Sequence, residues 1–200
     1  MSRKTKKSKK LRPEYPEWNP ANWIPWHRPK QFVMTIGACA VYGGSIFDLG
    51  DLADVALVVD LSGVDNGCVP SVTGNKGALN LCPDLLVGLP PILFVDWVDG
   101  GVPTLQVTWW LKLLDVIERQ PKGSAVCVCC VGGSGRTGTA LTILAALAGL
   151  IDDNEDPVEW LRHRYHGGAV ETVFQISYIE KITGRMVMTD AVPGTRRGVR

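Results

Sequence analysis

Short, almost unbroken apolar runs alternate along this chain with longer segments whose apolar positions suit one face of a helix. The runs near Phe32–Gly37 and at Val55–Leu61, Ile92–Asp96 and Ala125–Cys130 predict strands. Their continuous hydrophobicity predicts a sheet covered on both faces. Helices are expected over Thr104–Arg119, stopped by Pro121, over Arg136–Leu150, over Pro157–His166 and over Glu171–Ile182. The acidic run Asp152–Asp156 lies on the N-terminal side of the third of these, where the helix dipole favours negative charge. Gly43 to Leu52 predicts a turn and a short helix, and Ser62 to Pro83, rich in Gly, Pro, Asn and Ser, predicts a loop. Strands alternating with helices predict an α/β fold of three layers, a central, mostly parallel sheet flanked by helices.

One strand-to-helix junction carries the chemistry. Val126 to Gly138 reads VCVCCVGGSGRTG, a strand that ends at Cys130, a glycine-rich loop, and a helix that opens at Arg136. A loop of this kind turns a ring of backbone N–H groups toward one point and makes an anion site. Gly132, Gly133 and Gly135 permit the curl, and the amides of Val131, Gly132, Gly133, Ser134, Gly135 and Arg136 are the expected binding groups for a phosphoryl group. Arg136 adds a planar fork matched to two oxygens. The sulfur of Cys130 is expected at the bottom of the ring, where the helix N-terminus, the amides and Arg136 all favour the thiolate, which is the nucleophile. The nucleotide-binding alternative, with Gly-Lys-Ser/Thr closing the loop, does not fit, because Arg136 stands where its lysine would be and Cys130 where its first glycine would be.

At Cys130, Gly133, Arg136 and Thr137 the chain resembles the cysteine-dependent protein phosphatase superfamily, with its tyrosine-specific and dual-specificity branches and its His-Cys-x-x-Gly-x-x-Arg-Ser/Thr signature. The histidine of that signature is Cys129 here. In the family it helps hold the loop and the thiolate. The resemblance implies that the Thr137 hydroxyl donates to the sulfur and eases its departure. It extends to Phe94–Pro103, FVDWVDGGVP, where Trp97, Asp99, Gly101, Val102 and Pro103 match the acid loop of the tyrosine-specific branch. Expelling an alkoxide or phenoxide from phosphorus needs a proton donor on a mobile loop. Asp96 and Asp99 both qualify, and the match selects Asp99. Taken alone, Asp99-Gly100-Gly101 also reads as a turn with Asp99 as a helix cap. Val170 to Tyr178, VETVFQISY, resembles the family's glutamine loop. There Gln175 would place the water that hydrolyses a phosphocysteine, and Glu171 stands where some members have another glutamine. The bland alternative makes Gln175 a solvated helix residue.

The resemblance implies a dual-specificity-phosphatase-like domain that hydrolyses phosphomonoesters without metal or other cofactor, with a phosphorylated protein as substrate. RNA 5′-triphosphatases and phosphoinositide phosphatases share the chemistry and stay open as alternatives, as does a catalytically impaired phosphate-binding module. The loop Ser62–Pro83 faces the site in related folds and would shape substrate choice.

Composition and charge set the surroundings. Two hundred residues at 46% apolar content suit one domain. No apolar run reaches the roughly 18 residues of a membrane span, and the basic start leads into prolines and tryptophans, which does not fit a signal peptide. The six cysteines lack paired metal-site spacing and suggest a reducing, cytoplasmic setting. Cys127 and Cys129 read as small core residues, and Cys68 or Cys82 could shield an oxidised Cys130 as a disulfide. The three histidines, His27, His163 and His166, are too scattered for a metal or phosphorelay role; His163 and His166 read as solvent-facing or capping. Residues 1–12 hold seven Lys/Arg, whereas 13–190 carry 11 basic against 20 acidic residues. Such an arm is either solvated or a contact for nucleic acid or an anionic surface. The expected organisation is a basic arm and Pro/Trp-rich strap over 1–30, a phosphatase domain over 31–185 and a basic tail over 186–200.

Overall fold

In the computed structural model, which describes residues 27–62 and 90–190, five strands form one sheet. They are β1 (Gln31–Ile36), β2 (Cys39–Ser45), β3 (Val55–Asp60), β4 (Ile92–Phe94) and β5 (Ala125–Cys130), in the order β1-β2-β5-β3-β4. The β1–β2 hairpin is antiparallel and the other pairings are parallel. The helices among the described residues are α1 (Val107–Glu118), α2 (Gly135–Leu147), α3 (Pro157–Arg164) and α4 (Val173–Thr183). The expected basic arm 1–12, the strap up to residue 26, the loop from residue 63 to Pro83 with Cys68 and Cys82, and the tail beyond residue 190 lie outside the described residues.

β5 is buried at every position because it is central in the sheet and apolar on both faces. Val126, Val128 and Cys130 face the larger apolar cluster, with Leu57 and Val59 of β3 and with Leu141 and Leu144 of α2. Ala125, Cys127 and Cys129 face a smaller cluster with Leu49 and Val58. Alternation along the strand therefore sends the adjacent Cys129 and Cys130 to opposite faces. Only Cys130 ends up on the side where α2 begins.

The segment from Gly43, expected as a turn and short helix, is different. Gly43 and Gly44 lie inside β2, paired with Val128 and Cys129 of β5. A Cβ on Gly43 would stand 2.7 Å from Leu141 Cδ1 and 3.0 Å from the Tyr165 ring, and one on Gly44 would stand 3.1 Å from Lys30 Cα. Glycine here admits close neighbours to a strand. The chain turns after Ser45, and no helix forms between β2 and β3.

Two anchors fix the segment that follows β4. Trp97 is fully buried and donates its indole N–H to Gly101 O at 2.8 Å, and the Trp110 indole donates to the Tyr178 hydroxyl, which donates to Leu105 O, each at 2.9 Å. Aromatic side chains of this size cost about 3–5 kcal/mol when truncated in a core. Residues 97–105 are thus tied to the core at both ends. α3 starts as the acidic run predicts, with the Asp156 carboxylate accepting from Val158 N and Glu159 N and with Pro157 in the first turn.

Candidate active site

The loop after β5 is held from outside. The carbonyl of Cys130 accepts from Ile46 N (2.8 Å), that of Val131 from Ser45 Oγ (2.6 Å), that of Gly132 from Arg28 N (3.2 Å), that of Gly133 from the Tyr165 hydroxyl (2.5 Å) and that of Ser134 from Gly138 N (2.8 Å). Among the described residues all peptide bonds are trans, so each N–H of the loop points away from the preceding carbonyl. With the carbonyls outward, the amides of Val131 to Gly135 turn inward. Gly133 N–H meets Cys130 Sγ at 3.2 Å, and Gly133 takes φ +75 to do so. The Gly133 amide thus meets a sulfur that is 2% exposed. Ser45 and Tyr165, which brace it, gave no local signal in the sequence, since each is brought in from a distant element.

Arg136, 3% exposed, opens α2 beside the cradle. Its Nη1 donates to Ser62 O (2.6 Å) and Trp97 O (2.8 Å), and Nη2 pairs with Asp99 Oδ1 at 3.0 Å. Nε is buried with no hydrogen-bond partner among the described residues. The fork expected to face two oxygens therefore spends one nitrogen on the acid loop's backbone and another on its carboxylate. Asp99 projects from a turn closed by Gly101 N to Val98 O (3.1 Å), with Gly100 at φ +69, so the turn reading is correct. The helix-cap reading is not, because the N-cap of α1 is Gln106. Asp96 is exposed and absent from this cluster. Asp60, which the sequence reading passed over, is buried at the end of β3 and accepts from Ser62 N at 2.7 Å. It thereby orders the residue whose carbonyl holds Arg136. Burial raises the Asp60 pKa, against the Ser62 hydrogen bonds and the Arg136 charge.

Segment 169–175 lies across the first turn of α2. A Cβ on Gly138 would stand 2.9 Å from Val170 N, and one on Gly135 would stand 2.6 Å from Glu171 Oε2 and 2.9 Å from Gln175 Nε2. The two glycines, one turn apart, form the notch that admits it. Gln175 is fully buried, which overturns the solvated alternative. Its Oε1 accepts from Glu171 N (2.8 Å) and Thr172 N (3.2 Å) in a capping box, and its Nε2 has no hydrogen-bond partner among the described residues. The Thr172 hydroxyl accepts from Gln175 N at 3.2 Å and donates to Gly100 O at 3.1 Å. One threonine joins the helix carrying Gln175 to the loop carrying Asp99.

Two further expectations change. The Thr137 hydroxyl donates to Gly44 O at 3.5 Å, so it is directed at β2 rather than at the sulfur. Cys129, in place of the signature histidine, contacts Val59 O at 3.6 Å, and burial pushes its thiol up, reinforced by the charge of Asp60. His163 is exposed as expected and lies 3.8 Å from Glu159. His166 is instead half-buried: its Nδ1 accepts from Gly168 N (3.1 Å), its ring packs on Tyr165, and Nε2 is buried without a hydrogen bond.

Burial, reinforced by Arg28 and opposed by the backbone of Gly133, pushes the His166 pKa down from 6.5 to about 4. Above 6.5 both folded and unfolded histidines are neutral, and between the two values only the unfolded one takes a proton. Stability is therefore expected to fall with pH across that window, by about 1 kcal/mol between pH 7 and 5 once partial exposure is allowed for. Urea unfolding at the two pH values should show this loss, and His166→Gln should remove it. An equal loss in the variant would assign the slope to other groups.

Comparison with known proteins agrees with this geometry. Residues 90–183 match the family model described as protein-tyrosine phosphatase. Two uncharacterized proteins of Methanocaldococcus jannaschii, MJ0215 and MJECL20, are 38% and 39% identical over 90 residues, 44% of this chain. Those alignments span 53% and 57% of the relatives, so the chain covers about half the length of the curated proteins it matches. Among solved structures, Tk-PTP in its active form superposes with a TM-score of 0.53 at 23% identity, over 78% of this chain and 97% of that one. The Trypanosoma cruzi protein tyrosine phosphatase TcPTP1 superposes at 0.56 and 18%, over 88% and 80%. At these identities the likeness concerns the fold. Together with the cysteine loop, these matches show that residues 90–183 resemble the protein-tyrosine phosphatase family and support the cysteine-dependent superfamily. Among the described residues no helix is long and apolar enough to cross a membrane.

Proposed function

We propose that this chain is a phosphomonoester hydrolase acting on phosphorylated protein, with phosphotyrosine as the favoured group, through a phosphocysteine intermediate formed by residues of the segment 31–185. The observation that carries the reading is the bond from Gly133 N–H to Cys130 Sγ at 3.2 Å, beneath a loop whose outward carbonyls are all engaged. In this reading Cys130 attacks phosphorus, while the amides of Val131, Gly132, Gly133, Ser134 and Gly135 and the Arg136 guanidinium hold the transition-state charge. Asp99 protonates the departing oxygen. Gln175, whose buried Nε2 has a hydrogen still to place, orients the water that completes hydrolysis. The buried Nε of Arg136 supports the same picture, since an unpaired donor in the interior is costly unless an acceptor meets it. Thr137 braces β2 against α2 and acts on the sulfur only through the loop. The tyrosine preference draws support from the family matched, and from the exposed Val98 and Phe174, which flank the two segments that Thr172 joins.

The test is a panel of phosphotyrosyl and phosphoseryl peptides, phosphoinositides and triphosphate-ended RNA, with Asp99→Asn as the probe of mechanism. Asp99→Asn is expected to slow hydrolysis of phosphotyrosyl peptide by about 10²-fold or more, and that of p-nitrophenyl phosphate, with its better leaving group, much less. An equal loss on both would remove Asp99 from the acid role. Exclusive turnover of phosphoinositide or RNA would replace the protein substrate.

A further inference from the structure

Resting on the hydrolase reading above, we propose that Thr172 is a positioning residue for the acid: it holds the Asp99 loop over the cradle once a phosphoryl group has taken Arg136 from Asp99. The chemistry of that reading is unchanged. Asp99 gives its proton to the departing oxygen, and Thr172 acts only through the loop that carries Asp99.

The guanidinium of Arg136 is shared between the acid loop and the site. Its Nη1 is spent on Ser62 O and Trp97 O, so the edge left to grip two oxygens is Nε with Nη2. Asp99 Oδ1 sits on Nη2 at 3.0 Å. A phosphoryl group that engages this edge displaces the carboxylate, and a carboxyl carrying the proton it is to donate has no charge with which to hold a guanidinium. Asp99, its side chain 87% exposed, has then lost its own anchor. The loop must be held elsewhere if the acid is to stay within reach of the departing oxygen.

Thr172 supplies a hold that does not pass through Arg136. A hydroxyl has one proton to donate, and that of Thr172 goes to Gly100 O at 3.1 Å, on the residue next to Asp99. Its oxygen accepts from Gln175 N at 3.2 Å as the N-cap of α4, a helix that buries Gln175, Tyr178, Ile179 and Ile182. The Thr172 methyl faces the same glycine, since a Cβ on Gly100 would stand 3.9 Å from Thr172 Cγ2. By contrast, the indole of Trp97 closes the loop on itself at Gly101 O, and the Trp97 carbonyl ends on Arg136. The bond from Thr172 thus ties the acid's immediate neighbour to a packed helix, and substrate has no reason to break it.

Two aryl phosphates with unequal leaving groups separate this role from a merely structural one. For wild type, Thr172→Val, Thr172→Ala and Thr172→Ser, kcat/KM is measured on phenyl phosphate, which needs the acid, and on p-nitrophenyl phosphate, which needs it much less. We expect valine and alanine to lose about 10–30-fold on phenyl phosphate and no more than about threefold on p-nitrophenyl phosphate, with serine within about threefold of wild type on both. Inorganic phosphate should bind all four proteins within about twofold, and loss of the cap should lower the melting temperature of the valine and alanine variants by about 2–4 °C. Equal losses on the two substrates would overturn the proposal, because folding or binding would then account for them. So would a serine variant as impaired as valine, since the hydroxyl would not be what matters. Wild-type kcat/KM in the valine and alanine variants, with phosphocysteine accumulating in acid-quenched protein, would overturn it by moving the effect to Gln175 and the second half-reaction. Failure of the underlying hydrolase reading would look different: no turnover of either substrate by the wild type.

Discussion

Cys130→Ser is expected to abolish phosphomonoester turnover, by about 10⁴-fold or more, while leaving phosphate binding and the melting temperature almost unchanged. The sulfur is 2% exposed and touches the loop through Gly133 N–H, a bond that a hydroxyl oxygen can also accept. The substitution therefore preserves the cradle, whose shape comes from Ile46, Ser45, Arg28, Tyr165 and Gly138 gripping its carbonyls from outside. What it removes is the sulfur nucleophile of the proposed mechanism, for which an alcohol is a far poorer substitute. Calorimetry with inorganic phosphate and a steady-state assay on p-nitrophenyl phosphate check the two halves of the expectation. Turnover at even a tenth of the wild-type rate would remove Cys130 from the reaction, and loss of phosphate binding would mean that the cradle needs the sulfur to form.

That separation between reacting atom and supporting frame also explains what the sequence could reveal. β5, the loop and α2 are adjacent in the chain, so an apolar run, three glycines and an arginine suffice to read strand, cradle and helix. Asp99 was legible for the same reason, since Trp97 and Gly101 surround it and Trp97 locks onto Gly101 through its indole. The supports were hidden because they are contributed across the fold. Ser45 lies 86 residues from the carbonyl it holds, and Tyr165 lies 32 from Gly133. β2 was hidden by its own glycines: Gly43-Gly44 reads as a turn until Leu141, Tyr165 and Lys30 are seen pressing on it. Arg136 was found but only half understood, because two of its acceptors are main-chain carbonyls that no residue type announces.

The same frame predicts that Gly133→Ala is far more damaging than alanine at another left-handed glycine. Gly133 and Gly149 have nearly the same φ, +75 and +69, so both variants bear the cost of placing an L residue there, roughly 1–2 kcal/mol. A Cβ on Gly149 meets nothing within 4 Å, whereas one on Gly133 would stand 2.7 Å from Gly44 C and Ser45 N. Those are backbone atoms of β2, which is paired with β5 along its length, so no flexible side-chain end is there to yield. The overlap is expected to bring the Gly133→Ala cost to about 3–4 kcal/mol, or about 6–12 °C in melting temperature. The alternative is for the loop to flip into negative φ, which would break both the Tyr165 bond to Gly133 O and the amide contact to Cys130 Sγ. Either route should lower turnover by about 10²-fold, while Gly149→Ala keeps wild-type rates. Equal melting losses in the two variants would show that the loop is free to move away from β2, and the cradle would then not be the preformed anion site that the mechanism requires.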